Sequence, residues 1–98
     1  MGLFGKKWKV VIEEQGPSGN IRYQEGKNEA VFYWEFSGGD SLVFISGTKE
    51  ATWDAKYAWA KERCCEAYER VALETIAQKA RGGKFRLDLG AGTINIYA

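Results

Sequence analysis

Residues 29–36 have the sequence EAVFYWEF, in which large aromatic side chains fall on alternate positions. Phe32, Trp34 and Phe36 lie on one side of an extended chain, together with Ala30. Alternation with a period of two is typical of a β-strand, and aromatic residues favour that conformation. The stretch therefore predicts a strand near the centre of a sheet, with these side chains on the buried face.

Further strands are predicted on both sides of this stretch. Residues 7–14 and 21–24 alternate in the same way, and the turn-forming residues 15–20 between them indicate a hairpin. On the other side, residues 37–40 include two consecutive glycines, which favour a tight reversal. Residues 42–45 are all apolar, which predicts a strand that is covered on both faces.

A helical pattern occupies residues 48–81, with Thr48 as the predicted N-cap and the glycine pair 82–83 just after its end. A straight helix of that length would extend about 50 Å, roughly twice the width of a six-stranded sheet. It would also turn Trp59 outward. We therefore expect either a break near residues 57–60 or a projecting helix end.

The rest of the chain predicts a C-terminal hairpin, because residues 85–89 and 93–97 alternate on either side of a glycine-containing turn. The resulting order is four strands, one helix and two strands, and short connections imply antiparallel neighbours. We predict an α+β two-layer sandwich, in which one long helix, intact or broken, lies on one face of an antiparallel sheet of about six strands. The length of 98 residues predicts a single domain over residues 1–98.

The composition argues against several classes of function. The 14 basic and 13 acidic residues leave a net charge of +1, so bulk charge selects no polyanionic partner. The chain has no histidine, and its two cysteines cannot supply a four-ligand metal site. We therefore expect no metal, no cofactor and no catalytic site, and predict a protein that works by binding.

The two cysteines, Cys64 and Cys65, are adjacent within the helical pattern, where neighbouring side chains point about 100° apart. A disulfide between them is not expected, and we predict free thiols that pack in the core. Free thiols in a small domain favour the reducing cytoplasm. The apolar runs are too short to cross a membrane, so we expect no membrane association.

One helix can cover only one face of the predicted sheet. The side chains assigned to the covered face are Trp8, Val10, Ile12, Phe32, Trp34, Phe36, Phe85, Leu87, Ile94 and Ile96. The opposite face then keeps apolar side chains in water, at Val11, Val31, Tyr33, Leu42, Phe44 and Tyr97. At about 25 cal/mol per Å², covering such a face is worth several kcal/mol before association costs. We predict a homodimer that packs through this face, with solvent-tolerated scattered apolar residues as the alternative.

The helix offers a second surface. Its charges alternate in sign at spacings of three and four, at Arg63, Glu66, Arg70 and Glu74, which is typical of a solvated face. Trp59 and Leu73 fall on about the same side of the helix. These two apolar side chains are candidates for contact with a protein partner.

The sequence leaves two alternatives to a dimer, and both are binding functions. Single-stranded nucleic acid is the first, with bases stacked on Tyr33 and Tyr97 and phosphates held by nearby cations. The candidate cations are Lys9, Arg22, Lys84 and Arg86. Acidic residues dilute this charge, so nucleic acid ranks below the dimer. The second alternative is a small-ligand binding module.

Part of the chain resembles a family. The segment that begins at Glu50 contains Trp53-Asp54-x-x-Tyr57 before the long helix and the short hairpin. This arrangement is similar to the C-terminal half of small, uncharacterised bacterial α+β proteins, and to products of mobile gene cassettes and phage accessory genes. In those relatives a proline often follows the tyrosine, whereas Ala58 stands here. The resemblance covers about half of the chain and implies a helix break near Tyr57, but no activity.

Overall fold

A computed structural model describes residues 7–39 and 41–98. These residues form six strands, which are β1 (Trp8–Ile12), β2 (Ser18–Glu25), β3 (Asn28–Phe36), β4 (Ser41–Ser46), β5 (Lys84–Asp88) and β6 (Thr93–Tyr97). They also form two helices, α1 (Glu50–Lys56) and α2 (Cys64–Lys79), with a 3₁₀ turn at Ala58–Ala60 between them. The predicted α+β class and antiparallel sheet are confirmed.

The six strands make one sheet in the order β1-β2-β3-β4-β6-β5, and every neighbouring pair is antiparallel. The chain leaves β4, crosses the sheet through the helical segment and returns at the edge as β5. The hairpin then brings β6 back against β4. This order places β3 and β4 in the middle of the sheet, as the aromatic pattern of residues 29–36 predicts.

The core lies between the sheet and the helices. Phe32 of β3 contacts Tyr68 of α2 edge to face, with ring centres 5.0 Å apart, and Trp53 of α1 lies 6.4 Å from the same phenylalanine. The other buried side chains of the sheet are Val10, Ile21, Tyr23, Ala30, Trp34, Val43, Ile45, Ile94 and Ile96. Alternate residues of each strand supply this set, so the predicted assignment of the covered face is correct for most positions.

The expected helix break is present. α1 ends at Lys56, and the 3₁₀ turn and an extended residue separate it from α2. The Trp53 indole N–H donates to the carbonyl oxygen of Ala60 at 2.9 Å, which holds the turn over the buried ring. Because the chain bends there, Trp59 does not point outward as a straight helix would require. Its ring is half-buried and stacks on Tyr23, with centres 6.3 Å apart.

Two predicted details of burial in the sheet are wrong. Phe36 is 62% exposed although it was assigned to the covered face, and it forms one wall of a cleft beside the last turn of α2. Residues 42–45 are not covered on both faces, since Val43 and Ile45 are buried whereas Leu42 and Phe44 are exposed.

The N-cap prediction is also wrong. Lys49, not Thr48, precedes α1, and the Glu50 backbone N–H donates to the carbonyl oxygen of Leu89 at 2.9 Å. The carbonyl oxygen of Thr48 instead accepts a hydrogen bond from the Tyr68 hydroxyl at 2.7 Å. The first backbone N–H of α1 thus bonds to a carbonyl oxygen 39 positions along the chain, and the local sequence does not indicate this partner. Within the described residues, neither helix has the length and apolar character needed to span a bilayer.

Candidate functional site

The centre of the uncovered face consists of four apolar side chains on β3 and β4. Val31, Tyr33, Leu42 and Phe44 are 40%, 45%, 38% and 37% exposed. Tyr33 pairs with Ser46 and Glu35 pairs with Phe44, so Tyr33 and Phe44 are diagonal neighbours across the two strands. Diagonal neighbours lie within reach of aromatic side chains. We refer to Val31, Tyr33, Leu42 and Phe44 as the central patch.

Leu42 lies on the face of Phe44 by the ordinary alternation of β4, and a register shift beside it changes how β4 pairs with β6. Ser41 pairs with Tyr97 and Val43 pairs with Ile96, so Leu42 is an extra residue on β4. An extra residue of this kind interrupts the ladder of strand pairs locally, although Leu42, Val43, Phe44 and Ile45 still alternate between the two faces. The Ser41 hydroxyl also donates a hydrogen bond to the side-chain oxygen of Asn95, which holds β4 against β6.

On the β1 side, the patch is bordered by a charged group around Arg22. Arg22 lies between Val11 and Val31 in the register, which separates the two valines. Its guanidinium contacts Glu29 at 2.8 Å and Glu13 at 3.2 Å. Hydrogen bonds to Glu13 and then Glu29 raise the pKa of Arg22, and hydrogen bonds from Gln24 and then Arg22 lower the pKa of Glu29.

On the β5 side, the border is an open hollow of about 370 Å³ with both polar and apolar lining. Tyr97 lies opposite Lys84 in the register, and the Arg86 guanidinium is 5.9 Å from the centre of the Tyr97 ring. Gly38, Ser41 and Asn95 complete the lining. The hollow is shallow and joins the edge of the central patch through β4.

The structure brings most of the predicted dimer residues together. Four form the central patch, Tyr97 borders it, and Val11 lies on the same face beyond Arg22. The four candidate nucleic-acid cations are not one group, because Lys9 and Arg22 lie on β1 and β2 whereas Lys84 and Arg86 lie on β5. Four strand spacings, or about 19 Å, separate β2 from β5.

The two residues of the second predicted surface, Trp59 and Leu73, lie in different environments. Trp59 packs against the rings of Tyr23 and Tyr57 and is mostly removed from solvent. Leu73 is 56% exposed on α2, a helix that covers the other side of the sheet from the central patch. Trp59 and Leu73 therefore do not extend the uncovered face.

The charges of α2 do more than face solvent. Arg63 donates two hydrogen bonds to the carboxylate of Glu25 on β2, at 2.7 and 2.8 Å. Arg70 donates to the Tyr23 hydroxyl at 2.8 Å, and that hydroxyl donates to Glu25. Arg70 also contacts Glu66 at 2.6 Å. We call Tyr23, Glu25, Arg63 and Arg70 the β2–α2 cluster.

Burial and contacts within this cluster shift the pKa values of Tyr23 and Glu25. Burial, followed by the hydrogen bond to Glu25, raises the pKa of Tyr23 to about 12. The hydrogen bonds from Arg63 lower the pKa of Glu25. The sequence carried no signal for these contacts, because 38 positions separate Glu25 from Arg63. All groups in the cluster have partners, so it joins two elements and offers no reactive group.

The cysteines differ in environment. Cys64 is buried as predicted, whereas Cys65 is exposed, which corrects its assignment to the core. Both are free thiols. Burial raises the pKa of Cys64 to about 11, and partial burial with a hydrogen bond to Glu69 raises that of Cys65. Both are therefore protonated near neutral pH, and a protonated thiol is a weak nucleophile.

The described part of the chain brings together no group of three cysteine, aspartate or glutamate side chains that could hold a metal ion. It also contains no buried side-chain nitrogen or oxygen without a hydrogen bond. Comparisons with protein-family models, with curated proteins and with solved structures give no match to this chain. The case for a function therefore depends on the geometry of the molecule alone.

Proposed function

We propose that this protein works by binding, and that its uncovered sheet face packs against the same face of a second copy. The observation that carries this proposal is the central patch, four large apolar side chains that form a diagonal row across the two middle strands, from Val31 through Tyr33 and Phe44 to Leu42. Their exposed surface is on the order of 300 Å², which is worth several kcal/mol when it leaves water. The geometry gives no comparable support to a catalytic role.

The size of the face suits a dimer. Six strands at a spacing of about 4.8 Å span about 24 Å, and strands of this length give about 500 Å² of flat area. Side chains raise the accessible area above this value, toward the roughly 800 Å² that each partner contributes to a typical stable interface. Antiparallel sheets that pack face to face are a common arrangement of this kind.

A second copy is the favoured occupant because the face complements itself. A twofold contact sets the same surface of both copies together. The apolar row then meets an apolar row, and the border carries both signs of charge, from Glu29 to Lys84 and Arg86, while Glu35 lies beside the row, opposite Phe44. The net charge of +1 produces little repulsion between copies. The free thiols favour a reducing compartment such as the cytoplasm for this dimer.

Single-stranded nucleic acid remains the second candidate. It is favoured by the Tyr97 ring beside Arg86 and Lys84, where one base has a stacking surface and a phosphate has a cation. Against it, the candidate cations lie at opposite edges of the sheet, and Arg22 already contacts two carboxylates. The dimer therefore ranks first.

The test is the oligomeric state as a function of concentration. Sedimentation velocity from about 1 to about 500 μM is expected to show a monomer–dimer equilibrium. Tyr33→Asp puts a charge in the central patch and is expected to shift the protein to monomer while it still folds. Leu73→Asp is the matched control, since it makes the same change at an exposed apolar residue of α2 and should leave the dimer intact.

Three results would contradict the dimer. The first is a wild type that stays at monomer mass over the whole concentration range. The second is a Tyr33→Asp variant that still dimerises, and the third is a Leu73→Asp variant that does not. A salt-dependent shift of single-stranded oligonucleotides, lost on Arg86→Gln, would promote nucleic acid in its place.

A further inference from the structure

A cleft lies on the covered side of the sheet, between the end of β3 and the last turns of α2. It is lined by Ile12, Glu14, Trp34, Phe36, Val43, Thr75 and Lys79. The exposed Phe36 ring forms one wall and contacts Trp34 edge to face, with ring centres 5.4 Å apart. Thr75, the α2 residue over the cleft, has a short side chain, which leaves space above β3 and β4.

The inner walls of this cleft present apolar surface. The Thr75 hydroxyl donates to the carbonyl oxygen of Val71 at 2.7 Å, and the Trp34 indole N–H donates to the carbonyl oxygen of Glu13 at 2.9 Å. Both polar groups thus have partners within the chain. The remaining lining is the side chains of Ile12, Phe36 and Val43, which favours an apolar group inside.

The mouth of the cleft is charged. Glu14 and Lys79 form an ion pair there, and their side chains are 51% and 41% exposed. An exposed pair of this kind adds little stability, so either member can exchange its partner at small cost. A ligand with both an ammonium and a carboxylate group matches the two members at once.

The volume limits the size of the ligand. The enclosed part of the cleft measures about 60 Å³, and the space outside it is open to solvent. Benzene occupies an engineered cavity of about 150 Å³ in another protein, so a ring does not fit the enclosed part here. The enclosed volume is far below the range for whole small-molecule sites, about 300 to 1,000 Å³, so only a side chain enters the cleft and the rest of the ligand stays at the mouth. A short branched aliphatic chain fits these limits.

We propose that this cleft binds a small zwitterion with a branched aliphatic side chain, an α-amino acid of the leucine or valine type. The aliphatic chain enters between Trp34, Val43 and Thr75. The ligand carboxylate pairs with Lys79, and the ligand ammonium pairs with Glu14. This site is on the opposite side of the sheet from the central patch. Its test is therefore independent of the test of the proposed dimer.

The test is a titration of the isotope-labelled protein with leucine, followed by two-dimensional NMR. The reporter is the indole N–H signal of Trp34, identified by its loss in Trp34→Phe. We expect it to shift with saturation in the millimolar range or below, as suits a ligand of this size. N-acetylleucine lacks the ammonium and leucinamide lacks the carboxylate, and each should bind about two- to fivefold more weakly.

Two charge variants test the mouth. Lys79→Gln should weaken leucine binding about two- to fivefold and leave leucinamide binding unchanged. Lys61→Gln is the matched control, because it removes the same charge from an exposed position between α1 and α2. Sedimentation of the same samples shows whether the oligomeric state has changed, which separates this site from the dimer.

The proposal is overturned if leucine leaves the Trp34 signal unchanged up to about 50 mM, well above the weakest affinity expected for such a site. It is also overturned if N-acetylleucine or leucinamide binds as tightly as leucine, since the cleft would then recognise one charge or none. Equal binding by Lys79→Gln and wild type would remove Lys79 from the site.

Discussion

Gly19 on β2 lies at a position where a side chain has no room. A Cβ atom there would be 1.9 Å from the carbonyl oxygen of Glu13 and 2.9 Å from the Trp34 indole nitrogen. The same carbonyl oxygen accepts the indole hydrogen bond. The close approach of β2 therefore depends on glycine, and it fixes the ring that forms one wall of the cleft.

Gly19→Ala is expected to lower the free energy of unfolding by about 1 to 3 kcal/mol, the usual range for a group forced into filled space. Urea unfolding followed by circular dichroism measures this change. Gly38→Ala is the control, because its Cβ would meet none of the described atoms within 4 Å and its backbone suits any residue. Equal stability of the two variants would show that the contact at Gly19 relaxes freely.

At the scale of elements, the β2–α2 cluster joins the sheet to the second helix. Glu25 is the shared acceptor, since Arg63 binds it through two nitrogens and Tyr23 donates to it. The Arg70 guanidinium also lies 4.9 Å from the centre of the Trp8 ring, which extends the junction to β1. Charged hydrogen bonds between elements of this kind hold a helix in one position on a sheet.

The cluster predicts a dependence of stability on pH. The pKa of Glu25 is lower in the folded protein than in the unfolded chain, so its contribution is complete above the unfolded pKa. That contribution is lost as the pH falls through the folded pKa. The wild type should therefore lose more stability than Glu25→Gln in acid, and Glu25→Gln should be about 1.5 to 3 kcal/mol less stable at pH 7.

Urea unfolding at a series of pH values checks this expectation. Glu29→Gln is the matched control, because Glu29 also has a lowered pKa but lies on the uncovered face and accepts from Arg22 and Gln24. Its removal should change the acid dependence less. Parallel curves for wild type and Glu25→Gln would show that Glu25 titrates alike in both states.

At the scale of the whole molecule, two layers divide the apolar residues between a covered and an uncovered face. Phe32 on β3 is 1% exposed beneath the helices, whereas Phe44 on the adjacent β4 lies on the uncovered face. The two phenylalanines have the same chemistry and occupy neighbouring central strands. Substituting each of them by alanine therefore compares the covered face with the uncovered face while the residue type stays the same.

Phe32→Ala should cost about 3 to 5 kcal/mol of folding free energy, because it leaves a cavity in the core. Phe44→Ala should cost about 1 to 2 kcal/mol in dilute protein, where a dimer is dissociated, because Phe44 is only partly buried in one copy. Chemical unfolding at low micromolar concentration gives both values. A stable Phe32→Ala, or a larger loss for Phe44→Ala, would reverse the assignment of the two faces.

Local patterns predicted most of the elements but fewer of the contacts. The strands around residues 29–36 and the break near Tyr57 could be predicted, because alternation, turn residues and helix length act over a few positions. The position of β6 beside β4, the exposure of Phe36 and the β2–α2 cluster could not. They depend on where distant segments meet, which propensity does not encode.

The same division applies to the candidate surfaces. The sequence by itself determined that one helical layer faces a sheet with apolar residues on both sides, since strand periodicity assigns each side chain to a face. The tertiary structure alone decided that Val31, Tyr33, Leu42 and Phe44 are neighbours while the four cations are not. It alone decided that the end of α2 leaves a cleft beside Trp34. Strand order, register and the point where a helix stops on a sheet result from packing between elements far apart in the chain, and that packing sets which side chains share a surface.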